Sequence, residues 1–189
     1  MTEIHTRTAL AWIAALLAIV SPLCAESHLT LAEAQRLCFP SAQSFVKTTT
    51  RLTPDQIKQI ENQSGVKVRM PFLSAYAAQK DGSTLGVLLL DFVIGKHEVI
   101  DYALAVSPDG KVQQIEILAY RESYGHEIRG KNWRAQFAGK TAADKLRNND
   151  DIHNIAGATM SCAHITEGVR RLLATFEIAL KPALTPPPR

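Results

Sequence analysis

The chain has 189 residues, an apolar fraction of 46% and a formal net charge of +3. That length and composition suit one domain with a real core and at most a small appendage. Charges of both signs are mixed along the chain and no Lys/Arg block occurs, which excludes nucleic acid as an expected partner.

In chain order, the first signal is "MTEIHTR" followed by the almost wholly apolar run Thr8 to Leu23 and then "CAES". A charged start, an apolar middle and small residues around Ala25 make a secretory signal, expected over 1–25 with cleavage after Ala25. The alternative is an uncleaved anchor helix, slightly shorter than the roughly 20 residues that span a bilayer. A lipoprotein reading through Cys24 is the weaker one, because Leu23 is bulky where a small residue belongs. Each reading puts the folded part outside the cytoplasm, in the periplasm or on the outer face of the cytoplasmic membrane. Cleavage would leave two cysteines, Cys38 and Cys162, with no CxxC or CxxCH. In an oxidising compartment they are either a disulfide or two buried thiols.

Residues 26–80 read as a helical lead-in. Thr30 with Glu33 forms a capping-box pattern, and Pro40 stops that helix. Thr53, Pro54 and Gln56 open a second helix, and Gly65 closes it. Residues 81–180 read as the main domain. Thr84 to Gly95 is a buried-looking apolar strand. His97 to Tyr120 reads as two strands about the turn Ser107-Pro108-Asp109-Gly110. Lys131 to Leu146 gives one or two helical turns. A last helix is expected from about Ser161 to Leu180, with Ile165, Val169, Leu172 and Phe176 on one face. The tail 181–189, "KPALTPPPR", is expected to be extended and disordered. The expected fold class is α+β: a small antiparallel sheet, a C-terminal helix packed on it, and a short helical N-terminal lead-in.

The stretch "GATMS", Gly157 to Ser161, carries the chemistry. With Ser161 or its neighbour capping the last helix, Thr159 stands just ahead of the helix start. The first N–H groups of a helix lack intrahelical partners and, with the helix dipole, suit a phosphate. Gly157 permits a positive φ or close approach, and Ala158 leaves room. The plainer reading is an ordinary helix cap, since Gly, Thr and Ser are common there. Gly168, inside the helix, suggests tight packing against a neighbour.

"IAGATMS" resembles the S/T-G-A-T motif of the FMN-binding domain family, which includes the C subunit of the sodium-pumping NADH:quinone oxidoreductase and the G subunit of the Rnf complex. "YRESYGHEIRGKNWRAQFAGK", Tyr120 to Lys140, is similar to that family's segment of Glu, a Gly-containing turn, Trp and Gln-Phe-x-Gly-Lys. The resemblance runs from about Gly86 to Leu180. It implies an FMN cofactor whose phosphate a flavin transferase esterifies onto the motif Thr, here Thr159. Two positions depart from the pattern: Ala156 replaces Ser or Thr, and His153 stands where the transferase motif carries Asp. The resemblance therefore leaves covalent and non-covalent FMN both open.

The resemblance also places the loop of Glu122, Gly125, His126 and Glu127 beside the flavin; the alternative is an exposed turn. Lys140 could approach a phosphate, or be a solvated lysine. The cofactor-binding set on this reading is Gly157, Ala158, Thr159, Ser161, Glu122, Gly125, His126 and Lys140. No catalytic residue and no metal ligand is expected, because His97, His126, His153 and His164 lack metal-ligand spacing. Neither GxSxG nor GxGxxG occurs. The implied function is electron carriage to a redox partner, soluble or membrane-bound, as a flavoprotein rather than a stand-alone enzyme. The alternatives are a flavin-free binding module of the same fold and an exported hydrolase using His126 with Glu122 or Glu127.

Overall fold

The computed structural model describes residues 28–184, so the signal or anchor segment and the residues after Leu184 lie outside it. Five strands form one antiparallel meander in the order β1-β2-β3-β4-β5. They are β1 (Ser44–Arg51), β2 (Phe72–Lys80), β3 (Ser83–Ile94), β4 (Val99–Val106) and β5 (Val112–Tyr120). Each pairs with its sequence neighbour, and Ser107 to Lys111 closes the β4–β5 hairpin with N–H to carbonyl bonds from Ser107 to Lys111 and from Gly110 to Ser107.

Alternation along the strands sorts side chains to two faces. On one face Leu89, Val93, Tyr102, Leu104 and Ile115 join Ile165, Val169 and Leu172 of the long helix α4 (Thr159–Thr175) in the main core. On the other, Leu88, Ala103 and Ala105 pack on Ala34, Cys38 and Phe39 at the end of the helix α1 (Leu31–Cys38). The second helix, α2 (Pro54–Ser64), lies on the α4 side, where Ile60 meets Ala174. The molecule is thus a sheet between a long helix and a short one, the expected α+β class.

Both helix starts follow their sequence signals. Thr30 and Glu33 make a reciprocal capping box, as do Thr53 and Gln56, and Gly65 ends α2 at φ 67°. A short helix α3 (Lys131–Arg134) and two 3-10 turns (His126–Arg129 and Ala135–Phe137) pack beside β5. Helix α4 continues through a π turn (Phe176–Leu180) into α5 (Lys181–Leu184).

Two expectations need correction, and the open question of the two cysteines is answered. Residues 26–80 are not only helical, because β1 and β2 lie there and belong to the same sheet as β3. Lys181–Leu184 is helical rather than extended. Cys38 and Cys162 are both free and buried, and they sit in the cores on opposite faces of the sheet. A disulfide cannot reach across a sheet, since its Cα atoms must come within about 7 Å. Burial also raises both thiols out of the reactive range, Cys38 to about 12.

Candidate functional site

Helix α4 begins slightly earlier than the sequence pattern suggests, at Thr159, with Ala158 as its N-cap residue. No side chain caps it. This overturns the reading of Ser161 or Thr159 as an ordinary cap: the first N–H groups of α4 have neither an intrahelical partner nor a capping hydroxyl. Gly157 holds φ at 83°, the left-handed region, with nothing near the place a Cβ would take. The glycine is needed for backbone conformation, not for space.

These groups open into a cleft of about 410 Å³ lined by Gly157, Ala158, Thr159, Met160 and Ser161 on one side. Lys96 and His97, from the β3–β4 turn, and Tyr120, Glu122 and Tyr124, at and after the end of β5, form the other. Thr159 is exposed, and its Oγ1 accepts a hydrogen bond from Asn154 Nδ2 at 3.0 Å. That bond uses an oxygen lone pair and leaves the hydroxyl proton available for another partner.

The far wall is pinned by Glu122, which is 7% exposed. Its Oε1 accepts from the backbone N–H groups of His97 at 2.7 Å and Glu98 at 3.0 Å. Burial alone would raise this carboxyl. The N–H groups of His97, Glu98 and Lys96 outweigh that and hold it below the usual carboxylate range. Glu122 therefore fixes the β3–β4 turn against the cleft rather than offering a proton. Tyr120 donates to the Tyr124 carbonyl at 2.6 Å, with Ser161 Oγ 3.4 Å from the same hydroxyl.

The sequence-derived residues divide. Gly157, Ala158, Thr159, Ser161 and Glu122 share the cleft. Gly125, at φ 83°, brings its backbone against Ala158, where an added Cβ would lie 2.3 Å from the Ala158 Cβ. His126 packs edge-on against Tyr120, with ring centroids 5.6 Å apart. Lys140 does not line the cleft; its ammonium meets Asp151 at 2.9 Å. Trp133 and Phe137 are buried in the core in edge contact at 5.1 Å. Tyr120, Asn154, Lys96 and His97 are cleft or near-cleft residues that pattern reasoning did not select. Asn154 sits just before Gly157, and side-chain donors in a pre-helix loop are the signal that would have found it.

An uncapped helix start, a presented hydroxyl and a half-apolar cleft suit a phosphate carried on a larger, partly apolar body. Residues 95–174 match the model of the FMN-binding domain family. This chain carries an FMN-binding domain. The matched stretch holds the β3–β4 turn, β4, β5, the Glu122 loop and most of α4, and so every wall of the cleft. The chain is similar to the G subunit of the proton-translocating ferredoxin:NAD(+) oxidoreductase complex of Clostridium ljungdahlii, 30% identical over 102 residues, covering 50% of this chain and 55% of that protein. The chain thus spans about half the length of that curated relative. The crystal structure of Shewanella oneidensis NqrC resembles the fold with a TM-score of 0.51 at 18% identity, covering 79% of this chain and 92% of that one.

Proposed function

We propose that the protein is an exported electron carrier holding FMN in the cleft at the start of α4, with the phosphate esterified to Thr159 Oγ1. The observation that supports this most is the uncapped N-terminus of α4 opening into the cleft, with Thr159 at its first position. A cap-only motif would use its own hydroxyls on those N–H groups, and neither Thr159 nor Ser161 does so.

FMN supplies the one- and two-electron chemistry when bound. The chain's residues supply position and environment. The N–H groups at the start of α4 face the phosphate, and the helix dipole favours its charge by about 0.3–1 kcal/mol when exposed. Asn154 orients the Thr159 hydroxyl. Glu122 and the turn it holds wall one side, and Tyr124 and Met160, 78% and 45% exposed, stand at the rim. An exposed rim suits a carrier that must meet a partner. The similar proteins named above support a redox partner protein. A flavin transferase is the required modifying partner, and the apolar segment at 8–23 supports export. No helix among the described residues is long and apolar enough to cross a membrane.

The test is expression with a flavin transferase, followed by intact mass and absorbance after denaturation. The wild-type chain is expected to keep flavin through precipitation, and Thr159→Val is expected to lose it. A non-covalent site would release flavin on denaturation from both forms, and a flavin-free module of this fold would be colourless in both.

A further inference from the structure

A second cavity lies away from the FMN cleft, where the sheet opens. The β2–β3 register begins at Ser74↔Leu90, so Phe72 and Leu73 at the start of β2 have no β3 partner while β1 still pairs with them. The gap between Phe72 and the lower half of β3 forms a pocket of about 530 Å³. Much of its wall is apolar: Leu29, Met70, Phe72, Leu90, Phe92 and Leu118 line it among polar and charged residues. Met70, Phe72 and Phe92 are 51%, 52% and 40% exposed, which is unusual for side chains of that size grouped together.

The charged groups of the pocket are mostly paired. Arg171 Nη2 meets Asp91 Oδ2 at 2.5 Å, and the Tyr102 hydroxyl donates to the same oxygen at 2.6 Å. Arg121 meets Asp101 at 3.0 Å. Arg69, also in the lining, makes no hydrogen bond or ion pair among the described residues. With Arg171 set against Asp91 and Arg121 against Asp101, the exposed Arg69 is the lining arginine left without a carboxylate partner among the described residues.

We propose that this pocket binds a single-chain amphiphile with one negative head group, a long-chain carboxylate, with the chain along Phe72, Leu90, Phe92 and Leu118 and the head at Arg69. Size and lining match small-molecule sites, which are mostly apolar with a few placed polar groups. The unpaired Arg69 favours an anionic head over a neutral one.

The experiment titrates the full chain with a dansyl-labelled undecanoate and displaces it with laurate or dodecanol. One probe per chain is expected, displaced by laurate and far less well by dodecanol. Arg69→Ala, at an exposed position that should not disturb folding, is expected to weaken binding by about two- to five-fold, the range of an exposed charge pair. Leu90→Trp, which fills the pocket, is expected to abolish it while leaving flavin content unchanged. Equal displacement by dodecanol would overturn the head-group assignment. Binding indifferent to both substitutions would place the probe on the apolar N-terminal segment and overturn the site. Neither result depends on whether flavin is attached, so this proposal and the FMN proposal fail separately.

Discussion

At residue scale, Gly168 shows how a small side chain is fixed by a neighbour. A Cβ there would lie 2.2 Å from the Tyr102 hydroxyl oxygen and 3.2 Å from Val93 Cγ1. The buried Tyr102 ring crosses α4 at the only point where the helix presents no side chain. Gly168→Ala gains about 1 kcal/mol of helix propensity but must displace a tyrosine hydrogen-bonded to Asp91. Overpacking of this kind costs about 1–3 kcal/mol, so the variant should be less stable than wild type in urea unfolding. Tyr102→Phe removes the clashing oxygen and one bond to Asp91, and should cost about 1–2 kcal/mol alone. The double variant should be more stable than the sum of the two predicts, because the residues touch. Strict additivity would show that the clash is relieved elsewhere. Glu122 makes a second case. Glu122→Gln keeps the shape and weakens two charge-assisted bonds to the β3–β4 turn, so melting should show a loss of about 1–3 kcal/mol. A variant as stable as wild type would mean that the turn is held without the charge.

At element scale, what the sequence revealed depended on how much of each element's stabilisation is local. Helices α1 and α2 carry their capping boxes within four residues, so Thr30 with Glu33 and Thr53 with Gln56 were readable. The β4–β5 hairpin carries its turn residues, and α4 its apolar stripe. Strand β1, SFVKTTTR, was not readable because it is an edge strand with most residues exposed, so no alternation marks it. Strand β2 buries Ala75, Ala77 and Ala78, residues too small to signal a strand. In the site, the motif pointed to Thr159; Asn154, five residues before it, was open to a local reading, whereas Tyr120 joins the cleft only through a tertiary contact with Ser161. Lys140 lies outside the cleft lining, its ammonium paired with Asp151 eleven residues away in a loop without a regular period. That loop is itself an element held by one carboxylate. Asp151 accepts from the N–H groups of Arg147 at 2.7 Å and Leu146 at 3.1 Å, and from Lys140. Burial raises its pKa, but these bonds prevail and hold it at about 2 against an ordinary 3.8. A depressed folded value means the stabilisation is present above pH 3.8 and is lost as pH falls toward 2. Asp151→Asn should therefore be clearly less stable than wild type at neutral pH. In urea titrations the gap should narrow as pH falls from about 4 to about 2. A gap constant across that range would show that the carboxylate's charge contributes nothing.

At the scale of the whole molecule, the stretch that matches the FMN-binding family begins at residue 95, yet the sheet that supports the cleft begins at Ser44. Helix α4 rests on Leu89 and Val93 of β3, and β3 pairs with β2 from Ser74 to Lys80. Removing residues 1–80 would delete β1, β2, α1 and α2 together. It would leave β3 as an open edge bearing the apolar run Val87 to Leu90, uncover the α1 face of the sheet, and expose the Ala174 end of α4 that Ile60 covers. An unpaired apolar edge is a template for association, and a smaller core loses the surplus that offsets chain entropy. The fragment 81–189 keeps every residue of the proposed FMN cleft, so sequence similarity alone would make it sufficient. The fold argues otherwise: the fragment should elute as oligomers, show no cooperative urea transition, and accept little flavin from the transferase despite an intact Thr159. Extending the fragment to residue 28 should restore a monomer with a single transition. A monomeric, cooperatively melting and efficiently flavinylated 81–189 would mean that β1 and β2 are dispensable to the site, and that the boundary at 81 read from the sequence is a true domain boundary.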